Sequence, residues 1–192
     1  MKKSYYENTK NNEPHDITHK FINFSLTPGK AVELGCGAGV DTVYLIKNGW
    51  KVTAIDRENT KHYITEKLSL AEQSKLTFIQ DDFTNIELPP CNLLIANYSI
   101  PFCSPDKFSF LWENIRKCIF PHGYFVGTLF GIRDEWNSLN SDKVFFERYQ
   151  IYELFKGFDI ILFKEWEKDA VGGDGKLKYW HVFSIIAKKR NL

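Results

Sequence analysis

The sequence is poor in the features that mark several protein classes. It holds only four cysteines, Cys36, Cys91, Cys103 and Cys118, and no two of them form a Cys-x-x-Cys pair. A disulfide scaffold or a metal site is therefore not expected, and the thiols read as reduced and structural. Apolar runs are short everywhere, well under the roughly 20 residues of a membrane-spanning helix. The opening stretch Met1-Lys2-Lys3-Ser4-Tyr5-Tyr6-Glu7 lacks the apolar segment of a signal peptide, so a cytoplasmic location without membrane attachment is expected. Charge of one sign is also missing: 25 basic against 24 acidic residues leave a net charge of +1. Without a basic stripe, nucleic acid is not an expected partner. The Lys188-Lys189-Arg190 cluster reads as a solvated terminus.

What is present fits one domain over residues 1–192, with 43% hydrophobic residues to build a core. No internal repeat or second-domain boundary appears. The most informative stretch is Lys30-Ala31-Val32-Glu33-Leu34-Gly35-Cys36-Gly37-Ala38-Gly39. A short apolar run meets an acid, and glycines then stand at every second position. Val40 to Lys47 follows with helical spacing of Val40, Val43, Tyr44 and Ile46. A strand running through a glycine turn into a helix presents backbone N–H groups to open space. Glycine there lets a ligand approach the main chain closely. Trp50 to Ile55 reads as the second strand, and Asp56 stands at its carboxyl end, where an acid accepts from ribose hydroxyls. A dinucleotide fingerprint needs its third glycine where Val40 stands, which weakens an NAD-dependent reading.

Glu33, the glycines and Asp56 together resemble motifs I and II of the class I S-adenosylmethionine-dependent methyltransferases. The chain as a whole is similar to the small, single-domain branch that includes tellurite-resistance and thiopurine-type enzymes. The resemblance implies an α/β, Rossmann-like, seven-stranded, mostly parallel sheet with strand seven antiparallel and helices on both faces. It implies S-adenosyl-L-methionine as cofactor and a small-molecule methyl acceptor. Glu33, Gly35, Cys36, Gly37, Gly39, Asp56 and Arg57 would form the cofactor site. Lys75 to Ile79 reads as strand three, and the resemblance places an adenine contact in the Asp81-Asp82-Phe83 stretch after it. Asp82 and Phe83 fit best, with Asp81 as the alternative. Asn97, at the end of the apolar strand Cys91 to Ala96, completes the set.

Residues 1–28 are expected to form a helical lid segment, with a helix from Asp16 to Leu26 capped by Asp16, and Tyr5 or Tyr6 over the methionine moiety. Asn59 to Glu72 reads as one helix and Asp106 to Phe120 as another, its aromatic stripe being core. Tyr124 to Phe130 reads as strand five after a turn holding His122. Glu147 to Lys156 reads as a helix, and Asp159 to Glu167 and Tyr179 to Lys188 read as a hairpin. Ligands in such sheets bind beyond the carboxyl ends of strands, so Tyr98, Phe102 and Trp136, with Tyr6, are expected to line the substrate pocket. Tyr179 and Trp180 are further candidates. Pro101 stands alone, so the Asn/Asp-Pro-Pro-Tyr/Phe loop of amino-nitrogen methyltransferases is absent. Asp134 and His181 are weak candidates for a catalytic base. Asp134 reads better as a turn acid paired with Arg133, and His181 as a hydrogen-bonded structural residue. A monomer or weak homodimer is expected. RNA or protein methylation, or cofactor binding without catalysis, are the alternative readings.

Overall fold

The computed structural model describes residues 2–24, 27–138 and 142–191. Parts of two expectations, the lid segment and the first helix beyond residue 24, lie outside the described residues.

Five strands form the parallel body: β1 (Lys30–Leu34), β2 (Lys51–Asp56), β3 (Leu76–Gln80), β4 (Cys91–Ala96) and β5 (Ile119–Gly131). A two-residue β6 (Phe145–Phe146) pairs in parallel with β5 past the stretch that β4 covers. The hairpin of β7 (Phe158–Val171) and β8 (Leu177–Lys189) completes an eight-stranded sheet ordered β3-β2-β1-β4-β5-β8-β7, with β6 off this path. β8 is antiparallel to both neighbours. The expected antiparallel last strand is thus present, lying between β5 and β7, with β6 as an addition. The hairpin is longer than expected, because its strands are joined only by the turn at 172–176, where Gly172 N donates to Lys176 O at 2.8 Å.

Helices α1 (Lys2–Thr9), α2 (Asp16–Ile22), α3 (Val40–Lys47), α4 (Lys61–Thr65), α5 (Leu70–Gln73), α6 (Pro105–Cys118), α7 (Glu135–Ser138) and α8 (Arg148–Leu154) surround the sheet. Strand side chains alternate between faces. Leu94 and Phe125 therefore pack with Leu111, Trp112 and Phe155 on one side, while Leu93 and Val126 meet Ile17, Phe21 and Leu45 on the other. Each layer buries a separate apolar cluster, the main stabilising term of such a fold.

Three local expectations are corrected. The helix expected over Asn59–Glu72 is two short helices. The first ends at Thr65 with Glu66 as its C-cap, and Ser69 starts α5 with a reciprocal capping box to Glu72. The cap of α2 is His15, not Asp16. The Asp16 carboxylate instead accepts from Lys20 Nζ one turn on, at 2.7 Å. His122 lies inside β5 rather than before it, at a positive φ of 64°, where the β4–β5 register shifts.

Candidate functional site

The crevice at the carboxyl ends of β1, β2 and β4 begins with the glycine loop. Gly35, Gly37 and Gly39 all have positive φ, a region L-residues avoid. A Cβ on Gly35 would come within 2.7 Å of the Ser99 Cβ, so the loop packs tightly against the end of β4. A Cβ on Gly37 would meet nothing within 4 Å. The main chain is therefore bare toward open space at Gly37.

Asp56 faces this loop. Its Oδ2 accepts from Gly37 N at 2.8 Å and its Oδ1 from Glu58 N at 3.0 Å. Tyr6 OH donates to the same Oδ1 at 3.4 Å, which brings α1 across the crevice. Burial and the nearby Asp56 charge push the Tyr6 phenol up. Tyr6 thus stands at the end of β2 beside Asp56, apart from the other residues expected in the substrate pocket. Cys36 is buried beside it, with Sγ 3.9 Å from Thr60 Oγ1, and burial pushes its thiol well up.

At the end of β3, Asp82 Oδ1 accepts from Thr84 N at 2.9 Å and Thr84 Oγ1 at 2.8 Å, and Arg57 lies 3.9 Å from its Oδ2. Partial burial pushes this carboxyl up, but the Thr84 bonds and Arg57 outweigh it and hold it below its usual value. Asp81 is exposed and accepts from Asp82 N at 2.7 Å. Phe83 is buried, near where a Gly35 Cβ would lie.

A buried polar network underlies the loop. Glu33 accepts from Thr42 Oγ1 in a short hydrogen bond. Asp41, in the first turn of α3, accepts from His15 N at 2.9 Å and from Asn97 Nδ2 at 2.7 Å, and pairs with His15 Nδ1 at 2.7 Å. Asn97 Nδ2 also donates to Thr18 Oγ1 at 2.8 Å. Burial opposes charge on both acids. The His15 and Asn97 contacts overcome it and hold Asp41 below its ordinary value. Burial and the neighbouring Asp41 charge push Glu33 well above its own. Among the described residues, Asn97 Oδ1 and Ser99 Oγ are buried without a hydrogen-bond partner. Such atoms are uncommon in a settled interior and point to a missing ligand or water.

Sequence reasoning did not find His15 or Asp41. An acid in a first helical turn is already explained by the helix dipole, so Asp41 carried no separate signal.

Beyond Asn97, Tyr98 holds a positive φ of 52° while its N donates to Thr128 Oγ1 at 2.7 Å. Strain of this kind gathers at functional positions. Burial pushes the Tyr98 phenol up to about 12. Its ring lies 5.4 Å from His15 and 5.8 Å from Trp180. Phe102 and Trp136 lie 5.6 Å apart, and Trp136 is 5.3 Å from Trp180. Tyr98, Phe102 and Trp136 therefore join one aromatic wall. Tyr179 stays outside it, donating to Glu167 Oε2 at 3.1 Å.

Neither proposed base is free. Asp134 is 1% exposed and is not paired with Arg133, contrary to expectation. It forms a short ion pair with Lys178 and accepts from His181 N and Trp136 N, both at 3.1 Å. The Lys178 ammonium sits 3.9 Å from the Trp180 ring centre and 4.2 Å from that of Trp136. Burial pulls its pKa down, although Asp134 opposes this. His181 Nδ1 accepts from Arg133 N at 3.1 Å, and Nε2 lies 2.8 Å from Glu165 Oε1. Glu165, Glu167 and His181 bring ligand-type atoms within 4.8 Å of one another. The Arg133 guanidinium already bonds both carboxylates, at 3.1 and 2.7 Å.

The family model described as tellurite resistance protein TehB matches residues 1–169. The chain belongs to this family. A carboxy-S-adenosyl-L-methionine synthase from Shewanella halifaxensis is 26% identical over 117 residues, covering 58% of this chain and 47% of the relative. The chain thus spans about half the length of that curated relative. TehB from Haemophilus influenzae superposes with a TM-score of 0.74 at 16% identity, over 92% of this chain and 63% of that one. A Burkholderia thailandensis 1,6-didemethyltoxoflavin-N1-methyltransferase, solved with bound 1,6-didemethyltoxoflavin and S-adenosylhomocysteine, gives 0.67 at 17% identity, over 92% and 78%. These two superpositions place the family's fold on this chain.

Proposed function

We propose that this protein transfers a methyl group from S-adenosyl-L-methionine to a small-molecule acceptor. The observation that carries the reading is a crevice with bare main chain at Gly37, the Asp56 carboxylate on one side and the unpartnered Asn97 Oδ1 on the other. The residues fit the cofactor. Asp56 would accept from the ribose hydroxyls and Gly37 would lie against the main-chain-hugging part of the ligand. Asp82 and Phe83 would meet the adenine, with Arg57 steadying Asp82. Glu33, Cys36, Gly35, Gly39 and Asn97 would shape the end that holds the amino-acid tail. When bound, the cofactor supplies a methyl group already activated by the positive sulfonium. The protein's own task is then to place the acceptor in line and exclude water, an effect that can reach about 7–11 kcal/mol.

Helix α1 acts as the lid, with Tyr6 at the ribose end. Supporting a small acceptor are the near-zero net charge and the aromatic wall of Tyr98, Phe102 and Trp136. A cytoplasmic location agrees with the four free, buried cysteines. The same charge balance disfavours an RNA acceptor.

S-adenosylhomocysteine at a hundredfold excess over its Kd should stabilise the protein by about 2.7 kcal/mol, raising Tm by roughly 5–10 °C. Stabilisation by NADH in place of the nucleoside would overturn the assignment.

A further inference from the structure

A second concavity lies next to this crevice, and none of the cofactor residues lines it. It is a cavity of about 290 Å³ between α2 and the β5–β8–β7 part of the sheet. That volume sits at the small end of ligand pockets, about 300–1,000 Å³, which suits a compact molecule.

Its outer wall is one face of β7. Lys164, Trp166 and Lys168 alternate along the strand and all line the cavity. The opposite face carries Glu165 and Glu167, and those acids have their own cations: Arg133 bonds both, and Arg148 pairs with Glu165. The charges of β7 are thus sorted, with the lysines on the cavity side. Lys20 adds a third ammonium from α2. Asp16, the acid on the rim, is shared with Lys20 at 2.7 Å, which leaves Lys164 and Lys168 to set the sign. Lys168 Nζ lies 5.4 Å from the centre of the Trp166 ring, so charge and a flat apolar surface are adjacent.

The inner end is built differently. His15 and Tyr98 line it too, their rings 5.4 Å apart, and His15 belongs to the polar network beneath the crevice. Tyr98 follows Asn97 directly, and His15 Nδ1 is held by Asp41 at 2.7 Å. With Nδ1–H donated to Asp41, the neutral ring keeps its lone pair on Nε2. A carboxylate that orients a histidine in this way is the usual arrangement behind a general base.

We propose that this cavity is the acceptor site, that it takes a small planar carboxylate with its acid group at Lys164 and Lys168 and its ring on Trp166, and that His15 Nε2 accepts the proton the acceptor gives up. The inference rests on the methyltransferase reading and names its substrate class. The acceptor's oxygen or nitrogen loses one proton to Nε2 and uses the freed pair to bond the methyl carbon, while the carbon–sulfur pair leaves with sulfur. His15 then passes its proton to water.

The test is calorimetry on the full chain saturated with S-adenosylhomocysteine. The probes are 4-hydroxybenzoate and indole-3-acetate, each against its neutral amide. At least one carboxylate should bind tenfold or more tighter than its amide. The Lys164→Ala/Lys168→Ala variant should lose at least tenfold of that affinity and keep the S-adenosylhomocysteine Tm shift. The His15 ring resonance, identified by its loss in His15→Gln, should move when the carboxylate is added to the wild type. Carboxylate binding weaker than roughly 1 mM, equal binding of acid and amide, or an unmoved His15 signal would each overturn the inference. Absence of any S-adenosylhomocysteine shift would instead remove the methyltransferase reading, and the acceptor role with it.

Discussion

Two buried carboxylates stand at the carboxyl edge of the sheet, and their surroundings differ in one respect. Asp134 sits in a closed set: Lys178, His181 N and Trp136 N take up its oxygens, and the Lys178 ammonium is also covered by Trp136 and Trp180. Asp41 sits in an open set: it holds His15 and Asn97, but Asn97 keeps a buried oxygen without a partner and the His15 side chain is 43% exposed. Each acid follows a strand of the parallel body, Asp41 in the first turn of the helix after β1 and Asp134 just past β5. The closed network fastens α7 to β8, whereas the open one leaves a buried acceptor atom unpaired and an imidazole partly exposed. Satisfaction of hydrogen bonds, rather than burial or charge, separates architecture from site here.

Breaking the closed network should give the largest effect on stability. Lys178→Met leaves Asp134 buried without its cation, which costs about 3–5 kcal/mol and should lower Tm by roughly 6–20 °C. The added Asp134→Leu change should restore much of that loss, since an apolar replacement of a whole buried pair is often neutral. Asp41→Asn should cost less, because it also removes one of two adjacent acids competing for charge. A melting curve for Asp41→Asn that falls as far as the one for Lys178→Met would erase the contrast.

In the crevice, Asp56→Ala should weaken S-adenosylhomocysteine by at least about a hundredfold, as two hydrogen bonds to a charged group are lost at about 1.5–3 kcal/mol each. The far-ultraviolet spectrum should be unchanged. Affinity within a factor of three of wild type would take Asp56 out of the site.

How much of this was legible from residues follows from the distance over which each constraint acts. The β1–loop–α3–β2 unit announces itself because its glycines and strand-end acid obey local backbone rules. The Ser69-x-x-Glu72 capping box was equally readable and was passed over in favour of one continuous helix. The Asp41 network joins residues 26 and 56 positions apart, and no local pattern encodes it. Asp134 was expected to pair with adjacent Arg133, yet its cation comes from 44 positions away on β8. The length of the β7–β8 hairpin brought Glu165 and Glu167 to Arg133 instead. The aromatic wall was foreseen in part: Tyr98, Phe102 and Trp136 follow strand ends, where the topology concentrates them. Tyr6 departs because its hydroxyl meets Asp56 at the end of β2 rather than the residues that follow β4.

The open network should also respond to pH. The Asp41 partnership raises the His15 pKa against the opposing pull of burial. A raised value means that the pair's contribution is complete below the unfolded histidine value of roughly 6.5 and is lost as pH climbs through the folded one. On the acid side, Asp41 is held below its ordinary value, so its share fades only as pH falls through that lowered value. The pair should therefore be strongest in mildly acidic solution. With the imidazole partly in water, the effect should stay below about 1 kcal/mol. Subtracting the Tm-versus-pH curve of His15→Gln from that of wild type isolates it. A difference that grows from pH 6 to pH 9 would contradict the assignment.

The smallest expected effect concerns the lid. Tyr6 OH donates to Asp56 Oδ1, the atom that the ribose would use, at a long 3.4 Å. Binding must displace or share this bond, so the phenol competes with the ligand. A net hydrogen bond is worth about 0.5–1.5 kcal/mol, and one this long should fall at the bottom of that range. Tyr6→Phe should then bind S-adenosylhomocysteine about twofold tighter by calorimetry, with the ring still covering the crevice. Weaker binding in Tyr6→Phe would mean that the hydroxyl contacts the ligand, turning Tyr6 from a competitor for Asp56 into part of the nucleoside site.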